Sequence, residues 1–66
     1  MDRKFEEKIT AVIAALEDAG YDPYAQLTEY IRTGDMRYIT RKGNARRIVM
    51  GLEWRQLRNF IENWGI

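Results

Sequence analysis

The sequence predicts an all-α fold: a compact domain of four helices with an extra short helical turn, spanning residues 1–66 and pairing into a homodimer. Three observations carry that expectation. Apolar residues recur at three- and four-residue spacing near both ends of the chain. Helix start and stop residues punctuate the middle, from Gly20 to Asn44. A chain of 66 residues is also near the lower limit for a self-sufficient core, so burial against a second copy would strengthen it.

The first helix is expected from Arg3 to Ala19, with Asp2 as its cap. Phe5, Ile9, Val12, Ile13 and Leu16 form one stripe on it, and Lys4, Glu6, Glu7, Lys8, Glu17 and Asp18 face water. The polar face is not predominantly basic, so core packing fits this helix better than a membrane surface. Gly20 can take the left-handed conformation just past the helix end.

Asp22 and Pro23 read as a fresh start. The aspartate can accept hydrogen bonds from free amides of the next turn, and proline has no N–H to leave unsatisfied. The second helix runs from Pro23 to about Arg32, carrying Tyr24, Leu27, Tyr30 and Ile31 at helical spacing. At that spacing Tyr21, Tyr24, Tyr30 and Tyr38 are read as core rather than as an aromatic binding platform.

Thr33 and Gly34 end this helix, and Asp35 can cap a short turn over Met36–Ile39. The connection from Thr33 to Gly43 is long for a structureless loop in so small a domain. It is therefore expected to pack on the body through Tyr38 and Ile39. Asn44 is the expected cap of a third helix beginning at Ala45 and carrying Ile48, Val49 and Leu52. Gly51 marks a bend or break. A fourth helix follows from Glu53 to Trp64. Its Trp54, Leu57, Ile61 and Trp64 repeat at 3-4-3 spacing, with Phe60 widening the stripe. These five residues are the candidate dimer face; completing the monomer core is the other reading.

The chain contains no cysteine, histidine or serine. That removes disulfides, thiolate metal sites, the usual acid–base group near neutral pH and the serine nucleophile. No P-loop, nucleophile elbow or H-E-x-x-H motif is present. Glu6 and Glu7, or Glu17 and Asp18, are adjacent in sequence, so on a helix they diverge by about 100° and share no site. No enzymatic activity, cofactor or metal is expected. The longest apolar run, Ala11 to Leu16, is far shorter than the ~20 residues of a membrane span, and no signal peptide is visible. The cysteine-free composition fits a cytoplasmic protein.

Total charge is +1, but its placement is uneven: residues 1–35 carry a net −4 and residues 36–66 a net +5. The sharpest local feature is basic. Arg37, Arg41, Lys42, Arg46 and Arg47 gather around the start of the third helix, where arginine forks could bind phosphate or carboxylate. Docking of an acidic or phosphorylated protein partner is one reading. Nucleic-acid binding is a second, weakened by the small total charge and the absence of a recognised reading motif. A purely structural alternative has Arg46 paired with a carboxylate of the acidic half and the others solvated. A further possibility is a structural subunit that uses the tryptophan face to join a larger assembly.

Taken in order, Gly20-Tyr21-Asp22-Pro23, Gln26, Tyr30, Gly34-Asp35, Tyr38-Ile39-Thr40 and Asn44-Ala45-Arg46 form a pattern that resembles the IreB family. These are small regulatory phosphoproteins of low-GC Gram-positive bacteria. The resemblance covers roughly Ile9 to Trp64. Asp22 stands where the family usually has Asn, and Met36 where it usually has Pro. The resemblance implies a helical dimer without catalysis. It also implies a cytoplasmic regulator that binds partners in a serine/threonine kinase and phosphatase pathway responding to cell-envelope stress. The family carries its phosphorylated threonines in an N-terminal tail. This sequence has no Ser or Thr before Thr10, so no phosphosite is carried over.

Overall fold

The computed structural model describes residues 3–64, and most of its helix boundaries have a local chemical cause. Helix α1 (Arg3–Asp18) buries Phe5, Ile9, Val12 and Leu16 along one stripe. The Asp2 cap lies outside the described residues. Past the helix, Gly20 sits at φ 87°. Its N–H donates to the Glu17 carbonyl and the Tyr21 N–H to the Leu16 carbonyl, which together make a Schellman ending.

Helix α2 (Pro23–Thr33) starts as its residues dictate. Asp22 Oδ1 accepts from the Tyr24 and Ala25 amides at 3.0 and 3.4 Å, and Pro23 needs no partner for the amide it lacks. Gly34, at φ 73°, closes the helix with an N–H donated to the Tyr30 carbonyl at 2.7 Å. Asp35 then caps a single 3₁₀ turn, Met36–Tyr38, by accepting from the Arg37 amide at 2.9 Å.

Helix α3 (Ala45–Met50) has only six residues. Asn44 holds its cap position, yet its side chain makes no capping bond, contrary to expectation. At φ −113°, ψ 18° its backbone lacks the extended ψ from which a cap side chain reaches the next turn. The helix ends at Gly51 without a left-handed residue, and Leu52 falls in the turn beyond it. The Gly51 carbonyl accepts from Lys8 Nζ of α1 at 3.1 Å, fixing the turn to the body.

Helix α4 (Trp54–Asn63) is capped by Glu53, whose two carboxylate oxygens accept from the Arg55 and Gln56 amides at 3.2 and 2.9 Å. Glu53 is therefore the cap rather than the first helical residue. Among the described residues the chain is helical without strands.

Helix α1 packs chiefly on α3, and α2 packs on α4 and on the 3₁₀ turn. The core joins the α1 stripe to Leu27, Ile39, Ala45, Val49, Leu57 and Ile61. Its radius of gyration is 10.7 Å, against about 11 Å expected for a folded domain of this length. Ile39 anchors the long connection and is wholly buried, as expected, but Tyr38 is 43% exposed. The core reading of the tyrosines also fails at Tyr21 and Tyr24, which stay more than two-fifths exposed. A core this thin is filled by aliphatic side chains, so the long rings lie over its edges with their hydroxyls in water. Tyr30 alone of the four packs against the core.

Candidate functional site

The connection between α2 and α3 is tied down around Ile39, whose backbone is extended, by side chains from both helices. Ile39 anchors it in the core. Gln26 Oε1 of α2 accepts from the Thr40 amide at 3.0 Å, and Arg46 Nε of α3 donates to the Ile39 carbonyl at 2.7 Å. The Thr40 hydroxyl accepts from the Lys42 amide at 3.1 Å. These bonds satisfy backbone groups of the connection that have no helix or strand partner. They also fix where Arg41 and Lys42 leave the body.

The five predicted basic residues separate into two groups. Arg37 is committed to Asp35: Nε donates to both carboxylate oxygens at 3.1 and 3.0 Å, and Nη2 to Oδ2 at 2.8 Å. That fork, with the Arg37 amide bond, holds the Asp35 carboxyl below its ordinary pKa and raises that of Arg37. Arg46 is spent on the Ile39 carbonyl. The expected pairing of Arg46 with a carboxylate is absent among the described residues. Its guanidinium meets a backbone oxygen of the connection first, and Asp35 acts on it only through space. Arg41, Lys42 and Arg47 are exposed and form no ion pair among the described residues. They form the cationic part of the site.

The signal for the two clamping residues was uneven. Gln26 belonged to the ordered pattern of residues, but nothing in the local sequence linked it to Thr40, fourteen positions away. Arg46 was singled out for its charge, and its role is that of a hydrogen-bond donor.

The second candidate surface lies along α4. Leu57 and Ile61 are buried in the monomer core. Trp54 is 41% exposed, and Phe60 and Trp64 are half-buried. The rings form edge contacts: Tyr30 with Trp54 at 5.2 Å, Tyr24 with Trp64 at 5.3 Å and Phe5 with Phe60 at 6.1 Å between centroids. Phe60 and Trp64 are tilted at 5.3 Å. Tyr24 opens α2 and touches the end of α4, whereas Tyr30 is near the end of α2 and touches the start of α4. The two helices therefore run antiparallel, with an aromatic rim at each end of their seam.

Among the described residues no group of histidine, cysteine, aspartate or glutamate side chains is placed to hold a metal ion. No described helix is long and apolar enough to cross a membrane.

Comparison with known proteins adds to this geometry. The sequence model of the family described as IreB regulatory phosphoprotein matches residues 1–63. A UPF0297 protein of Ruminiclostridium cellulolyticum is 42% identical over 52 residues, which cover 79% of this chain. The chain spans 59% of the length of that relative. No solved structure matches it.

Proposed function

The chain belongs to the family of IreB regulatory phosphoproteins, and from that premise we propose that it is a non-catalytic regulator that acts by binding other proteins. Its partners belong to a serine/threonine kinase and phosphatase pathway of the cell envelope, and it works in the cytoplasm. The observation that carries this reading is the clamped connection. Gln26 and Arg46 tie down the backbone at Ile39 and Thr40, whose neighbouring cations, Arg41, Lys42 and Arg47, have no ion pair among the described residues. Exposed cations without an ion pair of their own favour an acidic or phosphorylated partner.

The aromatic rim supports the homodimer. Trp54, Phe60 and Trp64 keep apolar ring surface at the edge of a small core, and aromatic rings of this kind anchor protein interfaces. Leu57 and Ile61 support that face from below.

Two measurements test the proposal. In the first, the purified chain is titrated against the cytoplasmic portions of a host serine/threonine kinase and its phosphatase. Binding to either one, weakened in an Arg41→Gln, Lys42→Gln, Arg47→Gln variant, is expected. Absence of binding to both would remove the proposal. The second is sedimentation velocity, alone and with a labelled DNA duplex. A dimer that ignores the duplex is expected. A monomer that co-sediments with the duplex, and releases it as salt rises, would transfer the cationic site to nucleic acid.

A further inference from the structure

The chain carries eleven lysines and arginines, and helical backbone holds all but two of them. Eight stand in the four α-helices, and Arg37 stands in the 3₁₀ turn with its side chain forked onto Asp35. Arg41 and Lys42 lie outside helical structure, in the exposed stretch 41–44 that ends in Gly43 and Asn44. The breaks at 19–22, 34–35 and 51–53 hold no lysine or arginine. A hollow lined by Ala15, Asp18, Ala19, Lys42, Gly43 and Asn44 lies between this stretch and the end of α1, so the backbone there is not packed flat on the body. Exposed connections of small and polar residues are where proteases enter a folded chain, because a helix must first open to be read.

The anchors stand on both sides of the stretch rather than in it. Ile39 before it and Ala45 after it are wholly buried, and the Thr40 amide is held by Gln26. The ties between helices run across it. Helix α1 packs on α3 and α2 on α4. Lys8 donates to the Gly51 carbonyl and Arg46 to the Ile39 carbonyl. The Tyr24–Trp64, Tyr30–Trp54 and Phe5–Phe60 ring contacts each join one side to the other. Of the ten buried core residues, six precede the stretch and four follow it, so neither portion covers its apolar side without the other. We propose that residues 41–44 are a site of limited proteolysis by an endoprotease that cuts after basic residues, and that the cut protein stays folded as two interlocked chains. In that step water adds across the peptide bond after Arg41 or Lys42. The C–N bond breaks, the hydroxyl goes to the carbonyl carbon and the hydrogen to the released nitrogen, leaving a carboxylate and an ammonium group. The new carboxylate stands beside the cations, so the cut alters the local charge while the helices stay in place.

The test is a short digestion of the full chain with trypsin, read by mass spectrometry and by gel filtration at the concentration of the digest. The first cut that separates two helices is expected after Arg41 or Lys42. The two fragments are expected to elute together at the position of the intact chain and to keep its helical circular-dichroism signal. An Arg41→Gln, Lys42→Gln variant changes only exposed side chains. It is expected to be divided at least about tenfold more slowly, because cutting elsewhere waits on the opening of a helix. A first division after Arg32, Arg37 or any residue within an α-helix overturns the inference. So does digestion to small peptides, or resistance to the protease, without a two-fragment stage. Fragments that elute apart or lose their helical signal overturn it as well. The kinase and phosphatase titration decides the partner reading separately.

Discussion

The interior and the α2–α4 rim are built from different side chains. Among the described residues the buried set is aliphatic apart from Phe5. The rim is made of rings: Tyr24, Tyr30, Trp54, Phe60 and Trp64. The division follows from size. A domain this small has a core only about one side-chain layer deep, and branched aliphatics fill such a space in ordinary rotamers. A tryptophan needs more depth than that, so it lies across a seam and covers it. The interior therefore supplies most of the stability, and the rim is the face proposed for the homodimer.

The comparison is sharpest at Ile39, which stands in a connection but is as deeply buried as Leu16. Ile39→Ala is expected to cost about 2–5 kcal/mol, as much as Leu16→Ala. Chemical denaturation of both variants checks this. A loss below that of an ordinary surface substitution at Ile39 would mean the connection is only loosely seated.

Next in size is the clamp. Gln26→Leu leaves the half-buried Thr40 amide without its acceptor and is expected to cost about 1–3 kcal/mol. Hydrogen exchange should rise at Thr40 and its neighbours before it rises in α1. Uniform exchange across the chain would mean that the clamp holds nothing local.

A rim substitution should be milder in the monomer. Trp54→Ala removes the edge contact with Tyr30 and is expected to cost about 1–2 kcal/mol. In sedimentation it should lower dimer content more than Ile39→Val does at matched monomer stability. Equal dimer content in the two variants would take Trp54 out of the proposed interface.

One change should gain stability. The buried Thr28 hydroxyl has no hydrogen-bond partner among the described residues. Thr28→Val keeps the shape and removes the unsatisfied group, with an expected gain of up to about 1 kcal/mol in thermal unfolding. A loss instead would show that the hydroxyl finds a partner in solution.

The smallest effect is electrostatic. Asp35 has its pKa lowered first by the Arg37 side-chain bond and then by the Arg37 amide. A lowered carboxyl stabilises the fold above its unfolded pKa, near 4, and that contribution is lost as pH falls through the folded value. Stability from this pair should therefore be flat from about pH 5 to 8 and decline only in acid. Asp35→Asn should remove that part of the acid dependence. Because the pair is open to solvent, the change should be small.

Local chemistry was legible in the sequence because it acts within a few residues. Gly20, Asp22, Pro23, Gly34 and Asp35 each do what their type and neighbours dictate, and the predicted stripe of α1 is buried at Phe5, Ile9, Val12 and Leu16, with Ile13 only partly buried. Asn44 shows where local reading stops, since its backbone angles belong to the connection before it rather than to the helix it opens. The roles of Gln26 and Arg46 depend on partners fourteen and seven residues away. The fate of each ring depends on how much depth four short helices leave between them. The sequence by itself determined the helices, most of their ends and the cationic stretch, because propensity and capping are short-range. Only the tertiary structure decided which cations are spent and which form no ion pair among the described residues, and that Leu57 and Ile61 go inside while Trp54 remains at the edge. Those outcomes depend on competition for the same small volume by residues distant in sequence.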